Sequence, residues 1–164
     1  MNTECLHIAE GIKSTFEGTG WDGDSLEVIL QGVTAEQAHA HPVANAHSIW
    51  ELVLHVSVWA QAAIDALSGV PIGKYPWPPE RDFPPVADFS EAAWQQAVSG
   101  LFTVHQKLWQ AIEKFEDHRL EEKVPGRSYS FYQLFLGWSQ HAVYHAGQIA
   151  LLKKEFSSLD TRQR

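Results

Sequence analysis

The chain has 164 residues, a length that suits one domain, with 45% hydrophobic and 20% charged residues. Those fractions are typical of globular proteins and argue against a disordered chain. Twenty Asp and Glu against twelve Lys and Arg give a net charge of −8, so nucleic acid is not an expected partner. The single cysteine, Cys5, excludes an internal disulfide and a multi-cysteine zinc site. We see no apolar run near the roughly 20 residues of a membrane span and no signal peptide. We therefore expect a cytoplasmic protein without a membrane partner.

Helical periodicity predicts four long helices, whereas strand signals are poor. The first helix covers about residues 3–17, and a glycine-rich stretch at 18–20 ends it. Shorter helical turns are predicted around 26–30 and from 34, where Thr-Ala-Glu-Gln forms a capping-box pattern. The segment 18–46 as a whole is expected to be irregular.

The second long helix begins at a Ser-x-x-Glu capping box formed by Ser48 and Glu51. A broad apolar face follows and ends at Gly69, a suitable C-cap. Residues 70–87 then hold six of the eight prolines and make a connection longer than is usual in a bundle. Such a length allows the second and third helices to run parallel. The segment is either a stiff surface linker or a partial lid over a site.

The third and fourth helices complete the predicted bundle. The third starts near 88–90, and its large apolar residues recur every seven positions, as in a bundle seam. These residues are Trp94, Leu101, Leu108 and Phe115. The fourth starts at a capping box of Ser130 and Gln133 and runs to about 156. The prediction is an all-α four-helix bundle, with residues 1–164 as one domain.

Nine histidines are the one compositional excess, and the fourth helix places two of them inward. The predicted inward line of that helix is Leu134, Trp138, His141, His145, Gln148 and Leu152. Imidazoles four residues apart stand on one helix face and can bind one cation together. His55, in the apolar middle of the second helix, supplies a third nitrogen ligand. The alternative is that these are core histidines hydrogen-bonded to glutamine and tyrosine side chains. The pair is not a zincin motif, because Ala142 stands where that motif has its glutamate.

Two segments resemble the signature segments of the DinB/YfiT-like metal-binding four-helix bundles. They are AHSIWELVLH at 46–55 and FYQLFLGWSQHAVYHAGQIALLK at 131–153. LQGVTAEQ at 30–37 also fits the family, so the resemblance covers nearly the whole chain. It implies an up-down-down-up bundle with a long crossover between helices two and three, commonly a homodimer. It also implies one divalent metal ion, zinc or nickel, on His55, His141 and His145. Characterised members of the family include metal-dependent transferases of low-molecular-weight thiols and proposed hydrolases.

The other polar candidates have weaker support. Glu51, one turn before His55, is a candidate catalytic base or an acceptor for an imidazole N–H, although its capping role already explains it. Gln148 and Tyr144 could orient the ligands or a substrate, and His47 could border the pocket. The remaining histidines are expected to face solvent or to lie at helix ends: His7, His39, His41, His105 and His118.

Two functional classes remain open from the sequence. In the first, the protein is a metal-dependent enzyme that activates a small thiol, as an S-transferase does, or water, for attack on a small electrophilic substrate. In the second, it is a non-catalytic metal-binding or stress-response bundle. A homodimer is expected because the aromatic residues exceed what one small core requires. Some members of one group of four are therefore predicted to lie at or near the surface: Phe16, Trp21, Trp94 and Trp109.

Overall fold

The computed structural model describes residues 3–20 and 23–162, and the predicted all-α architecture is confirmed. The long helices are α1 (Thr3–Phe16), α4 (Ile49–Leu67), α6 (Glu91–Glu113) and α7 (Phe131–Arg162). The short ones are α2 (Leu26–Leu30), α3 (Ala35–His39) and α5 (Pro79–Asp82). Two strands of two residues each, β1 (Thr19–Gly20) and β2 (Gly23–Asp24), pair antiparallel, and Asp117–Arg119 form a 3₁₀ turn.

Side-chain caps begin the helices where the sequence predicts them. Ser48 accepts the backbone N–H of Glu51, whose carboxylate accepts the N–H of Ser48 at 2.9 Å. Thr34 and Ser130 make the same reciprocal pairs with glutamines at the starts of α3 and α7. These bonds satisfy backbone donors that have no partner inside the helix, which is why short local signals locate the helix starts. α7 continues past the predicted end, since no proline or glycine follows Gly147 to stop it.

The four long helices pack around one core. Both α4 and α1 contact α6 and α7. At the start of α4, Trp50 packs against Trp94, at the start of α6, with ring centroids 5.3 Å apart. At the start of α1, the N–H of Cys5 donates to Asp117, just beyond the end of α6, at 2.9 Å. The seam predicted for α6 is correct, because its four large residues are all buried.

The buried face of α7 is centred to one side of the predicted inward line. The buried residues run Phe131, Phe135, Trp138, Ala142, His145, Ala146, Ile149 and Leu152. Leu134, His141 and Gln148 are only partly buried, so they border the core instead of filling it. Heptad spacing predicts a stripe of inward positions along a helix. On α7, two neighbouring stripes both fit this spacing, so the sequence alone did not choose between them. The partly buried stripe faces the cavity described below.

Two predictions about surface residues are wrong. Phe16, Trp94 and Trp109 are at most 5% exposed, because the loops and short helices give the core more room than four helices alone would. Trp21 lies outside the described residues. His105 was expected at the surface but is fully buried in α6, where its ring stacks on Phe16 with centroids 3.6 Å apart.

The connection from 70 to 87 packs against the bundle. Ile72 and Trp77 are buried, and Trp77 stacks on Trp59 of α4 at 4.1 Å between ring centroids. The guanidinium of Arg81, in α5, lies 3.9 Å above the Trp77 ring. The segment therefore forms part of a wall, as the lid interpretation expected, instead of a free linker.

Within the described residues, none of the helices has the length and apolar character needed to cross a lipid bilayer.

Candidate metal centre

Three histidines meet between α4 and α7. His55 lies in the middle of α4, and His141 and His145 lie one turn apart on α7. The Nε2 atom of His141 is 3.0 Å from Nε2 of His55 and 3.1 Å from Nε2 of His145. The candidate ligand atoms all lie within 4.8 Å of one another, so these side chains could hold one metal ion.

The outer nitrogens of two imidazoles face oxygen acceptors. Nδ1 of His55 donates to the backbone carbonyl of Asp82 at 2.8 Å and lies 3.2 Å from its carboxylate. Nδ1 of His145 donates to Oε1 of Gln148 at 2.6 Å. Each of these rings carries its proton on Nδ1, so each presents a bare lone pair on Nε2 to the centre of the cluster.

Burial keeps the three imidazoles uncharged. Desolvation is the largest cause that lowers the pKa of each ring, and it brings the pKa of His141 to about 3 with the help of the neighbouring His145 and His55. Burial outweighs the bonds to Asp82 and Gln148, which favour the protonated rings of His55 and His145. At neutral pH all three rings are therefore in the form that binds a metal ion.

The cluster fits a cation better than it fits protons. Neutral His141 can donate its single ring proton to only one of the two facing lone pairs, which leaves one close nitrogen–nitrogen contact without a hydrogen. A divalent ion about 2.1 Å from each nitrogen would satisfy all three and would set them roughly 3.0–3.4 Å apart. The two separations from His141, 3.0 and 3.1 Å, agree with that geometry, and the whole set of candidate ligand atoms spans up to 4.8 Å, so binding of an ion would draw His55 and His145 together. Among the described residues the group has three members, so an ion there would keep coordination positions open.

A cavity of about 700 Å³ adjoins the cluster, a size that suits a small organic molecule. Its walls are mostly aromatic and aliphatic. α4 and α7 contribute Trp59, Leu134, Gly137 and Trp138 as well as the histidines. The crossover contributes Tyr75, Asp82 and Phe83, and the connection before α7 contributes Arg127 and Tyr129.

The crossover also holds the cluster in place. Phe83 stacks on His55 with centroids 4.1 Å apart, and His47 stacks on the other face of Phe83 at 3.7 Å. The indole N–H of Trp59 donates to the Asp82 carboxylate at 2.8 Å. His47 therefore borders the site through Phe83, and its own side chain is 48% exposed.

The proposed base Glu51 is engaged elsewhere. Its carboxylate accepts the N–H of Ser48 and lies 3.2 Å from both His41 and His47. Burial alone would raise its pKa, but these hydrogen bonds together lower it. It does not line the cavity, and its role as a base stays a prediction. Gln148 bonds to the candidate ligand His145, whereas Tyr144 is 64% exposed and its ring stands T-shaped to that of His145, with centroids 5.0 Å apart.

Sequence reasoning missed the cavity residues outside the four long helices. No motif surrounds Asp82, Phe83 or Arg127. Asp82 and Phe83 lie 27 and 28 positions from the nearest histidine of the cluster, and Arg127 lies 14 positions from it. The one available signal was the length and proline content of the crossover, which does not say which of its side chains turn inward.

Comparison with protein families gives a match to the family described as the DinB superfamily, over residues 21–149. Searches of curated proteins and of solved structures returned no match. The matched range contains α4, the crossover, α6 and all three histidines of the cluster. Since that range is most of the chain and its fold is helical as the resemblance implied, the chain belongs to the DinB superfamily.

Proposed function

We propose that this protein is a metal-dependent enzyme that acts on a small electrophilic molecule, with one divalent ion on His55, His141 and His145. The observation that carries the proposal is the convergence of three uncharged imidazole nitrogens beside a cavity of about 700 Å³. We propose zinc or nickel because the family resemblance implies these metals; imidazole ligands alone would suit copper and iron as well.

A divalent ion at such a site lowers the pKa of a thiol or water and thereby supplies a nucleophile at neutral pH. The protein's own groups prepare the site. Asp82 and Gln148 hold the imidazole rings in one tautomer, and Trp59 holds the Asp82 carboxylate. Phe83 and the crossover cover His55 and limit the access of water to it.

We favour thiol transfer over hydrolysis. In this reaction the thiol sulfur forms a bond to the electrophilic carbon, the leaving group departs with its bonding electron pair, and the thiol proton passes to solvent. The resemblance to a family that includes thiol transferases supports this choice, and the aromatic walls suit an electrophile with an apolar body. Metal-assisted hydrolysis is the second candidate reaction, with water in place of the thiol.

The non-catalytic alternative needs a closed ligand shell, since structural zinc sites normally have four protein ligands. Gln148 and Glu51 were the candidates for a fourth ligand. Gln148 is bonded to Nδ1 of His145, and Glu51 is bonded to Ser48, on the capping turn. Neither side chain is placed as a fourth ligand, which supports an open site and an enzyme.

The test is metal-dependent consumption of a thiol. Full-length protein loaded with zinc or nickel is mixed with cysteine and a panel of activated alkyl halides and esters, and the loss of free thiol is followed. We expect turnover that ends after chelation and returns when the metal is restored, with none in His145→Ala. No turnover with any thiol, ester or halide, together with a saturated four-ligand shell, would favour the binding protein instead.

We also propose the up-down-down-up topology. The Trp50–Trp94 contact supports parallel α4 and α6, since both residues lie near the starts of their helices. The bond from Cys5 to Asp117 supports antiparallel α1 and α6. A crossover of this length can return the chain to the starting end of the bundle.

We likewise propose a homodimer. The described aromatic residues that were expected at its interface are buried, so the interface must be formed by another, exposed face. The exposed apolar residues Leu136, Val143 and Leu151 lie seven or eight positions apart on α7, so they share one outer face. We expect light scattering at micromolar concentration to give twice the monomer mass and Val143→Glu to return the mass to that of a monomer. A monomeric wild-type protein would end this proposal.

A further inference from the structure

The cavity has a second polar end, formed by Arg127 in the connection between α6 and α7. The turn that carries this residue is well fixed. The N–H of Val124 donates to the carbonyl of Tyr129 at 3.1 Å, and the N–H of Arg127 donates to the carbonyl of Val124 at 2.9 Å. Gly126, at φ +75°, makes the turn, and a Cβ there would lie 3.2 Å from Cβ of Pro71 in the crossover. Arg127 therefore lines the cavity from an ordered turn.

The charge of Arg127 has no acidic partner among the described residues, although its guanidinium lies 6.0 Å from the centroid of the Tyr129 ring. Its Nε is buried without a hydrogen-bond acceptor, and no carboxylate lies within 4.0 Å to form an ion pair. Asp82 is the one acidic side chain among the described cavity residues, and its carboxylate already contacts Trp59 and His55. A partly buried guanidinium whose Nε has lost water and gained no acceptor, with no carboxylate beside it, favours an anion from outside the chain.

A second unused donor lies on the same cavity. Trp138 is 4% exposed and lines the wall, and its indole N–H has no acceptor among the described residues. Two residues of the described cavity wall thus carry a buried N–H donor without an acceptor, and one of them, Arg127, supplies its one permanent positive charge. A ligand that satisfies them carries oxygen acceptors and a negative charge.

We propose that the Arg127 end of the cavity is a carboxylate subsite and that the substrate of the enzyme proposed above is a small organic acid. This inference rests on the proposed function for the identity of the ligand as substrate. A carboxylate matches a single guanidinium, since its two oxygens can accept from two N–H groups of the planar fork together. A phosphate dianion would bring a second charge that no other described cation of the cavity wall offsets.

The helix between the two ends sets the length of the ligand. α7 rises about 15 Å from its start beside Arg127 to His141, ten residues later. The side chains of Arg127 and His141 occupy part of that span, so the electrophilic atom stands several bonds from the carboxylate. Gly137 lines the cavity between them, and a Cβ at this position would meet no atom within 4 Å. The missing side chain keeps this path open.

The experiment compares an acid with its neutral analogue. Binding of 3-phenylpropionate and of 3-phenylpropionamide to the full-length protein is measured by calorimetry, with zinc loaded and after chelation. We expect the acid to bind in both states and the amide to bind about tenfold more weakly or worse. Arg127→Gln should lose a similar factor for the acid alone, and Arg127→Lys should keep part of the affinity.

The control for charge is Lys123→Gln, which removes a positive charge from an exposed position in the same connection. It should leave the affinity for the acid unchanged, and circular dichroism shows that each variant is folded. Equal binding of acid and amide, undiminished binding by Arg127→Gln, or no binding of the acid at millimolar concentration would each overturn the subsite. Zinc stoichiometry is measured on the same samples. If binding of the acid depends on Arg127 but the protein takes up no zinc, the proposed metal-dependent enzyme is contradicted and the carboxylate subsite is still supported.

Discussion

Buried histidine occurs in two regions of this protein, and the two differ in what surrounds the rings. His105 lies in the closed core of α6, between Phe16 and Trp138. Its Nδ1–H donates to the carbonyl of Leu101 at 2.6 Å, and its Nε2 has no partner among the described residues. In the cluster, by contrast, His141 has two other Nε2 atoms within 3.1 Å and a cavity beside it.

Burial has the same electrostatic effect in both regions. Desolvation is the main reason that the pKa of His105 and the pKa of His141 both fall to about 3. A lowered pKa therefore does not distinguish a metal site from a core histidine. The convergence of several lone pairs beside open space does distinguish them, because one cation can satisfy those lone pairs together.

The largest expected effect is on metal binding. His145→Ala should lower zinc affinity by about a hundredfold or more, because two nitrogens hold zinc far less tightly than three. His105→Leu replaces the buried histidine of the other region by a side chain of similar volume, and this variant should keep one zinc per chain. Elemental analysis of protein purified without a His tag measures both. Equal zinc content in wild type and His145→Ala would contradict the metal site. Loss of zinc in His105→Leu would contradict the distinction between the metal-binding cluster and the core histidine.

Acid stability should show what the two regions share. The unfolded chain takes up protons on these histidines below about pH 6.5, whereas the folded pKa of His105 is about 3. Neutral His105 therefore leaves the free energy of unfolding undiminished above pH 6.5. As the pH falls from 6.5 toward 3, protonation of this residue in the unfolded chain lowers the free energy of unfolding. For His105 the loss at pH 4 is about 3 kcal/mol at most. Urea unfolding at pH 7 and pH 4 should show a smaller difference for His105→Leu than for wild type.

The matched control is His118→Gln, since the His118 side chain is 75% exposed. Its unfolding free energy should depend on pH as that of the wild type does. If His105→Leu keeps the full acid dependence, the buried imidazole of α6 is not a source of it.

A smaller effect is expected for the residue that supports the cluster from the crossover. Asp82→Asn keeps an oxygen near Nδ1 of His55 but removes the charge that polarises the ring, so zinc affinity should fall about tenfold. Asp65→Asn, on α4 but bonded to Gln61 away from the cavity, is the control for charge. Competition with a zinc chelator gives both affinities. Unchanged affinity in Asp82→Asn would mean that the backbone carbonyl of residue 82 is sufficient.

The smallest effect separates the cavity from the rest of α7. Gly137 and Gly147 are both mid-helix, and a Cβ at either position meets no atom within 4 Å. Gly137→Leu and Gly147→Leu should each stabilise the helix by roughly 0.5–1 kcal/mol, seen as a higher Tm. Only Gly137→Leu should weaken binding of 3-phenylpropionate, since Gly147 does not line the cavity. Equal binding by the two variants would place the ligand elsewhere.

Local signals in the sequence determined the helices and nominated the three histidines. Ser48 and Ser130 locate helix starts because a cap is made within four residues, and such a bond depends little on the rest of the chain. His141 and His145 were identifiable because four-residue spacing puts both on one helix face whatever packs against it. The length of the crossover was likewise visible from its prolines.

Tertiary structure alone decided which side chains surround those histidines. The carbonyl of Asp82 reaches His55 across 27 positions, and Arg127 joins the cavity from a turn with no motif of its own. The burial of His105 was equally invisible, since periodicity marks a stripe on α6 without saying how far the core extends around it. Such contacts depend on how helices and loops pack together, and a single sequence carries no local signal for that arrangement.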